Sequence, residues 1–195
     1  MIDLLPIPAL LTPQQCVHWC DALDDATAAP AAVLDPAYGG RVAPQIRRVA
    51  RLQPPAALQS QAMQLLGALQ PQLQAYFGQA LGRCEPAQFL RYEVGDFFVA
   101  HQDGNTPLLR DASLSRRVSL VLLLNDASLT AQEGCYGGGE LVFHPHYSSA
   151  AAPSRHTPAA GSLLAFRAET THEVLPVTHG RRYSIAGWFH AAEPA

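Results

Sequence analysis

A mainly β fold of the sandwich or jelly-roll kind, with α-helices flanking it at the N-terminal side, is what this sequence predicts. From about residue 85 onward, short β-branched and aromatic runs follow one another, separated by Gly, Pro, Asn, Asp and Ser, without helical stretches between them. Ahead of them, apolar residues recur with a helical period. A chain of 195 residues is also the length of one ordinary domain with a sizeable core. The expected organisation is therefore a single domain over 1–195, with helical support over about 1–84 and a β core over about 85–190.

Thr12-Pro13 reads as a helix N-cap followed by proline at the first helical position, and Gln15 stands three residues after the cap. Val17, Cys20 and Leu23 continue a helix that ends by Ala28-Ala-Pro30. Beyond Pro54-Pro55, the period of Leu58, Met63, Leu66, Leu69, Leu73 and Phe77 predicts a second helix, broken or kinked near Pro71. Strands are expected over 89–92, 97–101, 118–124, 140–143, 162–166, 172–177 and 182–189, and surface loop over 147–160. Segments 104–115 and 125–138 are expected as loops at the barrel mouth, where substrate contacts concentrate.

Charge and composition narrow the function. A net charge of -3 gives no electrostatic case for nucleic acid. The start, Met-Ile-Asp-Leu-Leu-Pro-Ile-Pro, has no basic region and is too short and proline-broken to span a bilayer, so a cytoplasmic protein is the default reading. Cys16, Cys20, Cys84 and Cys135 form neither a metal knuckle nor a disulfide scaffold and read as buried free thiols. The run Arg47-Arg48-Val-Ala-Arg51 reads as a solvated or salt-bridged face, with contact to an acidic partner as the alternative.

Chemistry concentrates in two places. His101 and Asp103, two apart at the end of an aromatic strand, point to the same side of an extended chain. With His172 they would make two imidazoles and one carboxylate, a set that binds one face of a divalent iron and leaves the opposite positions open. Arg182, ten residues after His172, would supply a fixed cation for a carboxylate. Spacing alone does not bring these residues together.

Five ordered segments add a resemblance. Arg91-Tyr-Glu-Val-Gly-Asp-Phe-Phe-Val-Ala-His-Gln-Asp103, Arg117-Val-Ser-Leu-Val-Leu-Leu-Leu-Asn125, Gly138-Gly-Glu-Leu-Val-Phe143, Gly161-Ser-Leu-Leu-Ala-Phe166, and His172-Glu-Val-Leu-Pro-Val with Arg182-Tyr-Ser-Ile-Ala-Gly-Trp-Phe189 resemble the non-haem iron, 2-oxoglutarate-dependent dioxygenases of the prolyl 4-hydroxylase-like type. The resemblance implies a double-stranded β-helix, with His101, Asp103 and His172 as iron ligands and Arg182 holding the distal carboxylate of 2-oxoglutarate. Tyr92 falls near the family tyrosine that bonds that carboxylate, and Ser184 is a further donor. Arg181 competes for the cation role, but neighbours in a strand face opposite ways and the register favours Arg182.

The implied reaction is oxidative decarboxylation of 2-oxoglutarate, with dioxygen as cosubstrate, coupled to hydroxylation of a C–H bond. Ascorbate is a further candidate cofactor. The substrate is a peptide, protein or small molecule, a prolyl residue being the first guess, and neither nucleic acid nor membrane is expected as a partner. Three alternatives stand beside this reading: hydroxylation of another residue or free small molecule, a cupin-like metalloenzyme using His101 or His144-x-His146 without 2-oxoglutarate, and a catalytically silent jelly-roll binding module. His144 and His146 read as rim residues, and His146 or Tyr147 as candidate substrate contacts. His18, His156, His179 and His190 read as surface or packing residues, and Trp188 and Phe189 as core.

Overall fold

Within single strands, neighbouring residues belong to different cores. Phe89, Ile185 and Phe189 join a cluster with the helices, whereas Leu90, Ala186 and Trp188 join a second cluster between two sheets. That division follows from the two-residue side-chain period of a strand. It identifies a large sheet covered by helices on one face and by a smaller sheet on the other. The structure is a computed structural model describing residues 2–35, 39–107, 111–146 and 149–193.

The large, eight-stranded sheet runs in the order Leu4–Ile7, Leu163–Arg167, Arg116–Leu123, Arg182–Ala191, Gln88–Tyr92, Ala50–Gln53, Thr27–Pro30, and Leu81–Cys84 also pairs with Arg182–Ala191. The five-stranded sheet runs Ser154–His156, Leu141–Phe143, His172–Val174, Phe97–His101, Arg47–Arg48. The strand pairings within both sheets are antiparallel. This is the jelly-roll arrangement expected from the runs of short strands.

Helix α1 (Pro13–Asp24) starts as expected: Thr12 accepts from the Gln15 backbone and the Gln15 side chain returns to the Thr12 N–H at 2.8 Å. The expected kink near Pro71 is a boundary between α2 (Ala56–Ala68) and α3 (Gln70–Phe77), with proline in the first turn of α3. All three helices bury their apolar faces on the large sheet through Leu23, Leu66, Leu73 and Phe77.

Four expectations need correction, one of them the loop over 125–138, whose end is strand Tyr136–Gly138, paired with Val177–Gly180. The first third is not only helical, because Leu4–Ile7, Thr27–Pro30 and Ala50–Gln53 are strands of the large sheet and Arg47–Arg48 of the small one. These are short strands, and three of them join by edge pairing rather than through a long alternating apolar run. The supposed loop over 147–160 contains strand Ser154–His156, which closes the edge beside Leu141–Phe143. The single strand expected over 172–177 is two, His172–Val174 and Val177–Gly180, lying in different sheets on either side of Leu175-Pro176. Tyr147, and residues 108–110 of the loop expected over 104–115, lie outside the described residues.

The four cysteines are free, and burial pushes the Cys20 thiol up to about 12 and that of Cys84 up to about 11. Since the thiolate is the nucleophile, both stay protonated until the pH approaches those values. In the folded protein at pH 8, iodoacetamide should modify Cys20 and Cys84 at least about a hundredfold more slowly than in the unfolded chain. Peptide mass spectrometry of timed samples checks this, and equal rates in both states would contradict the burial.

Candidate active site

The register of the small sheet sets His172 directly opposite His101 on adjacent antiparallel strands. Asp103 follows just past the end of one of them, and its backbone N–H bonds to Ala168 O at 2.9 Å. The result is a tight cluster. His101 Nε2 and His172 Nε2 each stand 3.5 Å from one oxygen of Asp103, and the three ligand atoms lie within 4.8 Å of one another. It is the only such group of three found among the described residues.

Both imidazoles are oriented by their own strands. His101 Nδ1 lies 2.8 Å from Val99 O and His172 Nδ1 lies 2.9 Å from Thr170 O. A carbonyl can only accept, so each Nδ1 carries the proton and each Nε2 keeps its lone pair toward the cluster. Phe98 stacks on His101 with centroids 3.5 Å apart, and Phe166 packs edge-on against His172 at 4.6 Å.

Burial would raise the Asp103 carboxyl, but the His172 and His101 rings and the Ser119 hydroxyl, donating to Oδ2 at 2.8 Å, outweigh it and hold the group well below the usual carboxylate range. His172 is pushed down to about 4 by burial and then by His101, against the opposing pull of Asp103. At neutral pH this leaves an anionic carboxylate beside a neutral imidazole, the protonation states in which both bind metal.

Arg182 opens the longest strand and lies opposite Tyr92 in the pairing with Gln88–Tyr92. It is only 1% exposed. Its Nη1 donates to Ser184 Oγ at 3.0 Å, its Nε has no acceptor, and no carboxylate pairs with it among the described residues. The rings of Tyr92 and Tyr136 stand 5.2 and 5.8 Å from the guanidinium carbon. Space for this side chain depends on Gly139, at φ +62, where a Cβ would come within 2.8 Å of Arg182 Cδ. Arg181, in contrast, faces out and pairs with Asp24 and Glu93.

Arg182, Tyr92, Ser184, His101, Asp103 and His172 all line one narrow inner cavity of about 40 Å³. It shares Arg47, Phe98 and Trp188 with an outer chamber of about 340 Å³ that also reaches His101 and Asp103. The six residues singled out in the sequence are therefore brought together. The remaining histidines stay apart: His144 pairs with Glu173 at 3.0 Å, His156 packs against Phe143, and His190 meets Glu85 at 2.8 Å. A cupin-like centre on His144-x-His146 has no third ligand among the described residues.

Sequence reasoning missed the supports of the site. Ser119 fixes Asp103, and its signal was available as a polar residue inside an apolar strand. Arg116 forks onto Glu85 at 2.6 and 2.7 Å and donates to the Asp103 carbonyl at 3.1 Å. Asn125 receives the Tyr183 N–H and donates to Arg181 O, pinning the start of the arginine strand. The run at 47–51 is divided: Arg48 pairs with Asp96 as a salt-bridged face would, whereas Arg47 lines both cavities.

Residues 87–190 match the 2OG-Fe(II) oxygenase superfamily. A PKHD-type hydroxylase of Xanthomonas campestris pv. campestris is 30% identical over 193 residues, covering 96% of this chain and 78% of that one. Other curated relatives are matched over only 43% of their length, so the chain spans less than half of those proteins. A crystal structure of a Pseudomonas putida prolyl-4-hydroxylase superposes with a TM-score of 0.71 at 23% identity, covering 99% of this chain and 95% of that one. A prolyl hydroxylase from Trichoplax adhaerens, in complex with a hypoxia inducible factor peptide fragment, gives 0.71 at 16% identity, covering 97% and 84%.

The fold and the family match define a jelly-roll oxygenase scaffold. This chain belongs to the 2OG-Fe(II) oxygenase superfamily. No helix among the described residues is long and apolar enough to cross a membrane.

Proposed function

We propose that the chain is a non-haem iron dioxygenase coupling decarboxylation of 2-oxoglutarate to hydroxylation of a C–H bond, with a prolyl residue of a peptide or protein as the first candidate. The observation that carries this is the pairing, in one cavity, of a two-histidine, one-carboxylate cluster with a buried arginine that lacks a carboxylate. Both halves fit their proposed guests. The donor set suits ferrous iron with positions left open, and the unpaired guanidinium suits a dicarboxylate.

His101, Asp103 and His172 would hold the metal through Nε2, a carboxylate oxygen and Nε2. Val99 O and Thr170 O keep the imidazole tautomers fixed, and Ser119 orients the carboxylate. Arg182 would hold the distal carboxylate of 2-oxoglutarate, with Ser184 and Tyr92 beside it. Leu90, Leu120 and Val174 wall the cavity and keep water from that contact. With iron and 2-oxoglutarate held there, dioxygen would be the oxidant, one of its atoms ending in succinate as carbon dioxide leaves and the other in the hydroxylated C–H bond.

The prolyl assignment rests on similarity to prolyl hydroxylases, one of which holds a peptide. Anaerobic titration of the protein with ferrous iron and 2-oxoglutarate tests the core of the reading. A visible metal-to-ligand charge-transfer band, followed by succinate formation with prolyl peptides in air, is the expected result. Folded, iron-loaded protein that shows no band would remove the cosubstrate and with it the oxygenase reading.

A further inference from the structure

The outer chamber has a charge balance that the metal site does not need. Three arginines line it, Arg47, Arg51 and Arg116, against one carboxylate, Asp103. Arg116 is neutralised by its fork on Glu85, and Asp103 faces the two imidazoles. Arg47 and Arg51 remain, and neither pairs with a carboxylate among the described residues.

Arg47 is the more informative of the two. Its Nη1 donates to Ala32 O at 3.0 Å, its guanidinium lies 4.8 Å from the Phe98 ring centroid, and its buried Nε has no acceptor. It lines the chamber and the inner cavity alike, so it stands at their junction, beside the cluster. A second orphaned donor stands nearby. Trp188 lines the same chamber, is 6% exposed, and its Nε1 has no partner. Arg116 stacks on that indole at 4.0 Å and holds it in place. Buried donors without acceptors are costly unless a ligand completes them.

We propose that the outer chamber recognises substrates carrying a carboxylate close to the hydroxylated carbon, with Arg47 as the cation that docks it. The inference rests on the oxygenase reading and names the substrate class of that site. The carboxylate belongs either to a free small acid or to an acidic side chain of a peptide, and Arg51 lies where it would draw either one in. A planar arginine fork suits a carboxylate better than a lysine would.

Matched acid and amide probes test this. N-acetyl-L-proline against its amide represents the free acid, and acetyl-Ala-Pro-Glu-amide against acetyl-Ala-Pro-Gln-amide the peptide. Binding is read by tryptophan fluorescence, with and without ferrous iron, and coupling by succinate release. At least one acid should bind about tenfold or more tightly than its amide, and the pair that shows it identifies the source. That preference should vanish in Arg47→Gln, return in part in Arg47→Lys, and weaken in Arg51→Gln.

Equal binding of acid and amide in both pairs, or binding by neither acid, overturns the proposal. So does a preference that survives in Arg47→Gln or, should that variant not fold, one that is undiminished in Arg51→Gln. The 2-oxoglutarate titration is run on the same proteins. A loss of cosubstrate affinity in Arg47→Gln beyond about threefold would assign Arg47 to the cosubstrate instead and equally overturn it. Failure of the wild-type charge-transfer band strikes the oxygenase reading, whereas a normal band without acid preference strikes only this one.

Discussion

Asp103→Ala is expected to abolish ferrous iron binding and, with it, all succinate formation, while leaving a folded protein. Asp103 is the one anion in the cluster and stands 3.5 Å from both imidazoles, so only the two rings remain when it is removed. Changing a residue that merely supports a metal ligand commonly lowers affinity about 10–100-fold, and removing the charged ligand itself should exceed that range. The fold should survive because the carboxylate is not a member of either apolar cluster. Ser119 would lose its acceptor, a cost of about 1–3 kcal/mol. Competition with a coloured chelator measures the first effect and thermal unfolding the second. A variant that still takes up one equivalent of iron with wild-type affinity would end the assignment of Asp103 as a ligand.

Arg182→Met should separate binding from stability in opposite directions. The side chain is 1% exposed, bonds to Ser184 and has no carboxylate partner among the described residues. A buried charge without a counter-ion costs several kcal/mol, and an apolar side chain of similar length removes that cost. The metal-free variant is therefore expected to melt higher than wild type by several degrees. The same change removes the cation for the distal carboxylate, and 2-oxoglutarate half-saturation should rise about a hundredfold or more, as for other buried charge-assisted contacts. Calorimetry on the metal-free proteins and the charge-transfer titration read the two effects. Unchanged cosubstrate affinity would require another cation for the role, and Arg47 would be the first to test.

The strands of the candidate site were legible because each carries a motif inside a strong two-residue period. His101, Asp103, His172 and Arg182 lie in or beside such strands, and the structure gathers them as the motifs imply. Strand alternation allowed only one of Arg181 and Arg182 to face inward and the motif register favoured Arg182, which is the buried one of the pair, Arg181 being exposed. Ala50–Gln53 and Thr27–Pro30, the last two strands on one side of the large sheet, were not legible, because a four-residue strand has too little period to distinguish it from a linker. Arg47 was hidden for a related reason. Its local sequence is that of a charged surface, and only pairing with Phe98 across two strands turns it toward the cluster. The Arg116–Glu85 fork joins positions far apart in sequence, and no local pattern announces it.

The opposition of His101 and His172 has a mechanical consequence. These two residues sit on neighbouring strands at a seam whose register already shifts between His172 and Val174. A metal bound to both is a cross-link between strands that roughly seventy residues of intervening chain would otherwise bring together only by loop closure. Slippage of the seam by two residues would carry one imidazole away from the other, so a filled site permits a single alignment. The ion would therefore act as a registration pin, coupling retention of iron to retention of strand pairing on the open side of the barrel.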